Sequence, residues 1–217
     1  MDTSKMKPDY TIRYILIGDA YVGKSNIISR FAENKFSEKY QATINLDFTY
    51  KTVKINDKIC RVQLWDTQGQ EQFQSITRSY FKNAACAIVV YDLTKRDTFN
   101  SISNWLEQSK THGPSTITFV LVGNKEDLKD ERVITTEEGE EFAQRNGMIF
   151  FETSAKTGKN IEEMFNGSIK EILKKIKEGY YKGKEKECGI EFNEQKKEGI
   201  VLKNAKEGKK KKCCLFL

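Results

Sequence analysis

The 217-residue chain is short of the residues that several large function classes require. It has a single histidine, His112, in a His-Gly-Pro stretch with the look of a loop, which leaves no material for a His-dependent triad or a His-rich metal site. No run of 18 apolar residues occurs, so no segment reads as a membrane span. Met1-Asp2-Thr3-Ser4 has neither an apolar signal core nor the glycine that N-myristoylation needs. Cysteines number five, at Cys60, Cys86, Cys188, Cys213 and Cys214, an odd count with no metal-binding spacing. A reducing, cytosol-facing setting is expected, with Cys60 and Cys86 as buried thiols inside apolar runs.

Charge of one sign is also scarce where it would matter. The net charge is +6, but residues 179–217 hold 11 Lys and 6 Glu, so the preceding residues are close to neutral. That balance gives no support to a nucleic-acid groove on the domain. Apolar residues concentrate in short blocks before residue 178, enough for one core of ordinary size.

The most informative stretch is Gly18-Asp19-Ala20-Tyr21-Val22-Gly23-Lys24-Ser25, a G-x-x-x-x-G-K-S pattern after the apolar run Ile15-Leu16-Ile17 and before the helix-like Asn26–Phe31. This is the phosphate-binding P-loop: backbone N–H groups of the turn and the helix N-terminus converge on phosphates. Gly18 and Gly23 allow close approach and unusual backbone angles, Lys24 reaches the β- and γ-phosphates, and Ser25 can ligate Mg²⁺. A match by chance is expected in roughly one chain of this length per hundred.

The rest of the chain reads as alternating strands and helices. Residues 10–17 form a buried strand and 24–34 a helix, followed by an irregular loop over 35–46. Residues 47–55 and 59–65 make an antiparallel pair, and 66–83 are polar and irregular. Ala85–Tyr91 and Ile117–Val122 are central parallel strands, with helical spacing of Phe99, Ile102, Trp105 and Leu106 between them. A capping box at Thr135 and Glu138 opens a helix that stops at Asn146-Gly147, Met148–Phe151 is a short strand, and Ile161–Ile176 is the last amphipathic helix. The expectation is an α/β fold over 10–178 with helices on both faces of the sheet, behind a flexible residue 1–9 segment. From Gly179 onward the composition is Lys/Glu/Gly-rich, and disorder is expected to the end of the chain.

Three further motifs fall at strand ends, where an open α/β sheet places its ligand. Asp66-Thr67-Gln68-Gly69 is D-x-x-G, in which Asp66 can hold Mg²⁺ and the Gly69 N–H can meet a γ-phosphate. Asn124-Lys125-Glu126-Asp127 is N-K-x-D, and Thr153-Ser154-Ala155-Lys156 follows the last strand. Asp127 offers two acceptor oxygens that match the N1–H and N2–H₂ donors of guanine. Adenine presents neither, and a site built for a donor pair rejects the analogue without it by ~10⁴-fold or more. Four motifs in this order point to GTP.

These strings, with Thr43, resemble the Ras-superfamily small GTPases over residues 10–178. Ile44-Asn45-Leu46-Asp47-Phe48, Tyr91-Asp92-Leu93-Thr94 and the terminal Cys pair are similar to the Rab family, nearest its two/four/fourteen group. The resemblance implies a P-loop NTPase small G domain with a six-stranded, mixed but mostly parallel sheet. It implies that Phe36 stacks on guanine, that Ser25, Thr43 and Asp66 hold Mg²⁺, and that Gln70 orients the attacking water while Lys24 stabilises phosphate charge. It extends the nucleotide-binding set over Gly18 to Asn26, with Gly69, Asn124, Lys125, Asp127, Ser154, Ala155 and Lys156. Phe48, Trp65 and Tyr80 match the aromatic triad that displays nucleotide state to effectors; core packing is the other role open to them.

By the same resemblance the partners are an exchange factor, a GTPase-activating protein, an escort protein or GDP-dissociation inhibitor, and effectors. No nucleic acid is implied, and a monomer is expected. Cys213 and Cys214, after Lys209–Lys212, fit a doubly geranylgeranylated end: two lipids anchor stably where one is marginal, and each Lys adds ~1 kcal/mol near an anionic leaflet. The setting implied is the cytoplasmic face of endomembranes (Golgi, endoplasmic reticulum–Golgi or endosomal vesicles), with cycling through the cytosol. Tyr21, Asn45 and Gln68 depart from the family pattern around the γ-phosphate, which leaves open a GTP-binding module with weak or no hydrolysis.

Overall fold

The computed structural model describes residues 6–38, 48–67 and 81–192. Strand β1 (Tyr10–Ile17) leads into α1 (Lys24–Glu33); β2 (Phe48–Ile55) and β3 (Lys58–Asp66) form a hairpin. There follow β4 (Cys86–Asp92), α2 (Arg96–Asn100), α3 (Ile102–His112), β5 (Thr118–Asn124), α4 (Thr136–Asn146), β6 (Ile149–Glu152), α5 (Ile161–Lys177) and β7 (Ile190–Phe192).

The sheet order is β2-β3-β1-β4-β5-β6. β1 is parallel to β3 and β4, β5 is parallel to β4 and β6, and β2 is antiparallel to β3. Continuous apolar runs in β1 and β4 follow from burial on both faces. Ile12, Tyr14, Leu16, Cys86, Ile88 and Val90 join one core layer with residues of α1 and α5. Ile15, Ile17, Ala87, Val89 and Tyr91 join the other, with residues of α3 and α4. Phe31 of α1 stacks on Phe165 of α5 at 3.8 Å between ring centroids. All five parallel strands therefore end at one edge of the sheet, and the P-loop, Asp66, Asn124 and the Thr153 turn sit there.

The local signals form as chemistry dictates. Thr135 accepts from the Glu138 N–H while the Glu138 carboxylate accepts from the Thr135 N–H, and Gly147 closes α4 in the left-handed region. The segment from Arg96 to His112 is two helices, because the chain breaks step at Ser101 between α2 and α3.

The six-strand order stands as expected, but the disorder expected from residue 179 needs a correction: among the described residues a seventh strand joins the sheet, and residues 179–192 are folded onto it. β4 begins opposite Tyr14, which leaves the edge of β1 over Tyr10–Ile12 open on that side. β7 fills it antiparallel, pairing Tyr10 with Phe192 and Ile12 with Ile190. The Arg13 N–H donates to the Gly189 carbonyl at 2.9 Å, and Tyr181, Cys188 and Ile190 are buried. Gly189 has φ +68, and a Cβ there would lie 2.3 Å from the Asn83 carbonyl oxygen.

Candidate nucleotide site

The P-loop spans the turn from β1 to α1, and its two end glycines are needed sterically. A Cβ on Gly18 would lie 2.2 Å from the Val90 carbonyl oxygen, and one on Gly23 would lie 2.4 Å from Asn124 Nδ2. Gly23 caps α1 with φ 98 and no side-chain cap, and the first intrahelical bond runs from the Ile27 N–H to the Gly23 carbonyl. The helix therefore opens at Lys24, and the N–H groups of a helix N-terminus are suited to an anion.

Lys24 is buried, and its ammonium donates to the Gly18 and Asp19 carbonyls at 2.8 Å each. Burial lowers its pKa to about 8, against the opposing pull of Asp66 and Asp19. The Ser25 hydroxyl donates to Asp66 Oδ2 at 2.6 Å, bringing two hard oxygens from different motifs together. Asp19 is held in turn by the Trp105 indole N–H at 2.7 Å. Thr67 anchors the start of the D-x-x-G segment by donating to the Leu16 carbonyl at 2.5 Å. Hydroxyl and carboxylate oxygens suit Mg²⁺, which is normally bound by one or two carboxylates together with substrate phosphates. Among the described residues no cluster of three or more His, Cys, Asp or Glu could hold a metal on its own.

Asn124 joins the two halves of the pocket. Its Nδ2 donates to the Val22 carbonyl at 2.8 Å, while Oδ1 accepts from the Thr153 hydroxyl and the Ala155 N–H at 3.2 Å each. Asp127 accepts from the Ser154 hydroxyl at 2.5 Å. Lys125 has φ 69 and ion-pairs with the buried Asp92 at 2.5 Å. Asp92 Oδ1 accepts from the Thr94 N–H and hydroxyl, so the Tyr91–Thr94 string builds the support for Lys125.

Of the residues expected to bind nucleotide, Gly18 to Asn26, Asp66, Asn124, Lys125, Asp127, Ser154, Ala155 and Lys156 line this one edge of the sheet. Phe36 is half-buried and packs against the core layer beneath α1. Tyr21 is 59% exposed and occupies the left-handed region at φ 66, where a bulky side chain is strained. Phe48 is 42% exposed and meets Trp65 at 5.0 Å between ring centroids. Thr43, Gly69, Gln70, Tyr80, Cys213 and Cys214 lie outside the described residues, as do Asn45 and Gln68. Sequence reasoning missed Asp92, Trp105, Thr67 and Arg30. Only Asp92 had a signal of its own, within Tyr91-Asp92-Leu93-Thr94.

The Ras family model matches residues 13–174. The chain is 44% identical over 175 residues to the Ras-related protein Rab-2B of Dictyostelium discoideum, a match that spans 81% of this chain and 87% of that protein.

Proposed function

This chain belongs to the Ras family, among its Rab-type small GTPases, and on that premise we propose that it is a membrane-anchored switch that recruits effectors to a vesicle or organelle membrane. As a small GTPase it binds guanine nucleotide, hydrolyses GTP to GDP and phosphate, and alternates between the two bound states. The observation that carries the reading is the Asn124 junction. One amide fixes the phosphate loop through Val22 and the base-side turn through Thr153 and Ala155, so both ends of a nucleotide are held by one rigid piece.

In this reading Asp127 accepts from the guanine edge, Phe36 covers the ring, and Lys24 with the α1 N-terminus neutralises phosphate charge. Ser25, Thr43 and Asp66 would hold Mg²⁺, which would supply neutralisation of phosphate charge. Gln70 orients the attacking water. The segments around Thr43 and after Asp66 report the γ-phosphate to effectors, which meet Phe48, Trp65 and Tyr80. Hydrolysis is slow alone and stimulated by an activating protein; an exchange factor reloads the site, and an escort protein or GDP-dissociation inhibitor carries the lipidated chain through the cytosol.

Cys213 and Cys214 bear the geranylgeranyl groups, and Lys209–Lys212 add attraction to the anionic cytosolic leaflet of a Golgi, endoplasmic reticulum–Golgi or endosomal membrane. Fractionating cells that express the chain with both cysteines changed to serine tests the anchor. The doubly substituted protein is expected in the soluble fraction with nucleotide still bound; retention on membranes would contradict lipid anchoring.

A further inference from the structure

The loop that faces the base, Thr153–Gly158, is fastened on its inner side to Asn124 and Asp127. On its outer side the carbonyls of Ala155 and Lys156 point toward α1, where Arg30 receives them. Arg30 Nε donates to the Ala155 carbonyl at 2.8 Å and Nη2 to the Lys156 carbonyl at 2.8 Å. The third nitrogen, Nη1, donates to the carbonyl of Asn34 at 3.1 Å and to its Oδ1 at 2.9 Å. Asn34 is the left-handed C-cap of α1, so the guanidinium is gripped at the end of its own helix before it reaches across. We propose that Arg30 is a positioning residue for guanine recognition, holding the base-reading turn at its two outward carbonyls.

The geometry explains why this position holds arginine. Two successive peptide carbonyls are met by one planar fork, and the remaining nitrogen is locked in place, an arrangement that a lysine ammonium cannot reproduce. A trans peptide sets its N–H opposite its carbonyl. Fixing the Ala155 carbonyl toward α1 therefore turns the Lys156 N–H away from α1. Among the described residues a second outer tether is the exposed Lys156–Glu38 ion pair at 3.1 Å, of a kind that contributes little. Gly158 stays clear of the arm: a Cβ there would come no closer than 3.7 Å to Arg30 Cδ.

This rests on the guanine reading of the site, and the experiment separates the two. Full-length protein, unsubstituted and with Arg30→Met or Arg30→Lys, is loaded with GDP or with 2-aminopurine riboside diphosphate, which lacks the C6 oxygen and the N1 proton. Nucleotide release is followed by displacement, and thermal melting of each loaded protein is recorded. Arg30→Met is expected to release GDP about tenfold faster, the loss carried by charged hydrogen bonds of this kind. Release of the analogue should change by less than twofold, and Arg30→Lys should recover part of the GDP effect. Equal acceleration of both nucleotides, or no acceleration of GDP release, would overturn the proposal. An unsubstituted protein that holds both nucleotides alike would overturn the guanine reading itself, and the proposal with it.

Discussion

Lys24 shows how a residue proposed to bind phosphate also carries a cost in stability. Its ammonium is enclosed, and desolvation lowers its pKa to about 8 despite Asp66 and Asp19. The folded value lies below the unfolded one, so between about pH 8 and 10.5 the unfolded chain binds the extra proton. Lys24's contribution to stability therefore rises with pH across that window. Nucleotide phosphates act in the opposite direction by favouring the ammonium. Nucleotide affinity is expected to fall as pH rises above 8, with uptake of a proton on binding. Calorimetric titrations in two buffers of different ionisation enthalpy would show it, and Lys24→Met should abolish the proton uptake along with most of the affinity. Tyr21 sits in the same loop at φ 66, and αL for a side chain of its size costs roughly 1–2 kcal/mol. Sequence shows the unusual residue; only the dihedral shows the strain. The same limit applies to Arg30 and Trp105, whose partners lie 125 and 86 residues away.

At the scale of elements, β7 is where composition and fold diverge. Three residues have no readable period, and Lys, Glu and Gly dominate around them. Yet Tyr181, Cys188 and Ile190 bury themselves because β1 has an open edge for them, a fact of topology and not of local sequence. Gly189→Val tests the element. Its Cβ would clash with Asn83 and Ala85 backbone, and φ +68 disfavours a branched residue. The variant is expected to lose about 2–4 kcal/mol through exposure of those side chains. The Arg13 amide should exchange faster, while GDP affinity stays unchanged because the site lies at the other end of the strands. Elements with self-contained signals were legible: the Thr135–Glu138 capping box, the Gly147 stop, and the alternation of Cys60, Val62 and Leu64 in β3 all stand where the pattern puts them. The break at Ser101 was not, because Phe99, Ile102 and Leu106 keep helical spacing across it.

For the whole molecule, two core layers flank the sheet, and described residues of four short motifs meet at one of its edges. Asn124 and Arg30 act as cross-braces between pieces far apart in sequence: Asn124 links the P-loop to the base-side turn, and Arg30 links that turn to α1. Because α1 also carries Lys24, the residues proposed to meet the phosphates and those that brace the Ala155 turn share one helix. The described fold extends at least to Phe192, past the boundary expected at residue 178. The nucleotide site is proposed to read guanine through Asp127. The most direct test is a titration of GTP, ATP and xanthosine triphosphate against the unsubstituted protein and Asp127→Asn. The unsubstituted protein should prefer GTP over ATP by ~10⁴-fold or more, and Asp127→Asn should move the preference toward xanthosine triphosphate. Equal binding of ATP and GTP, or unchanged GTP affinity in Asp127→Asn, would contradict it.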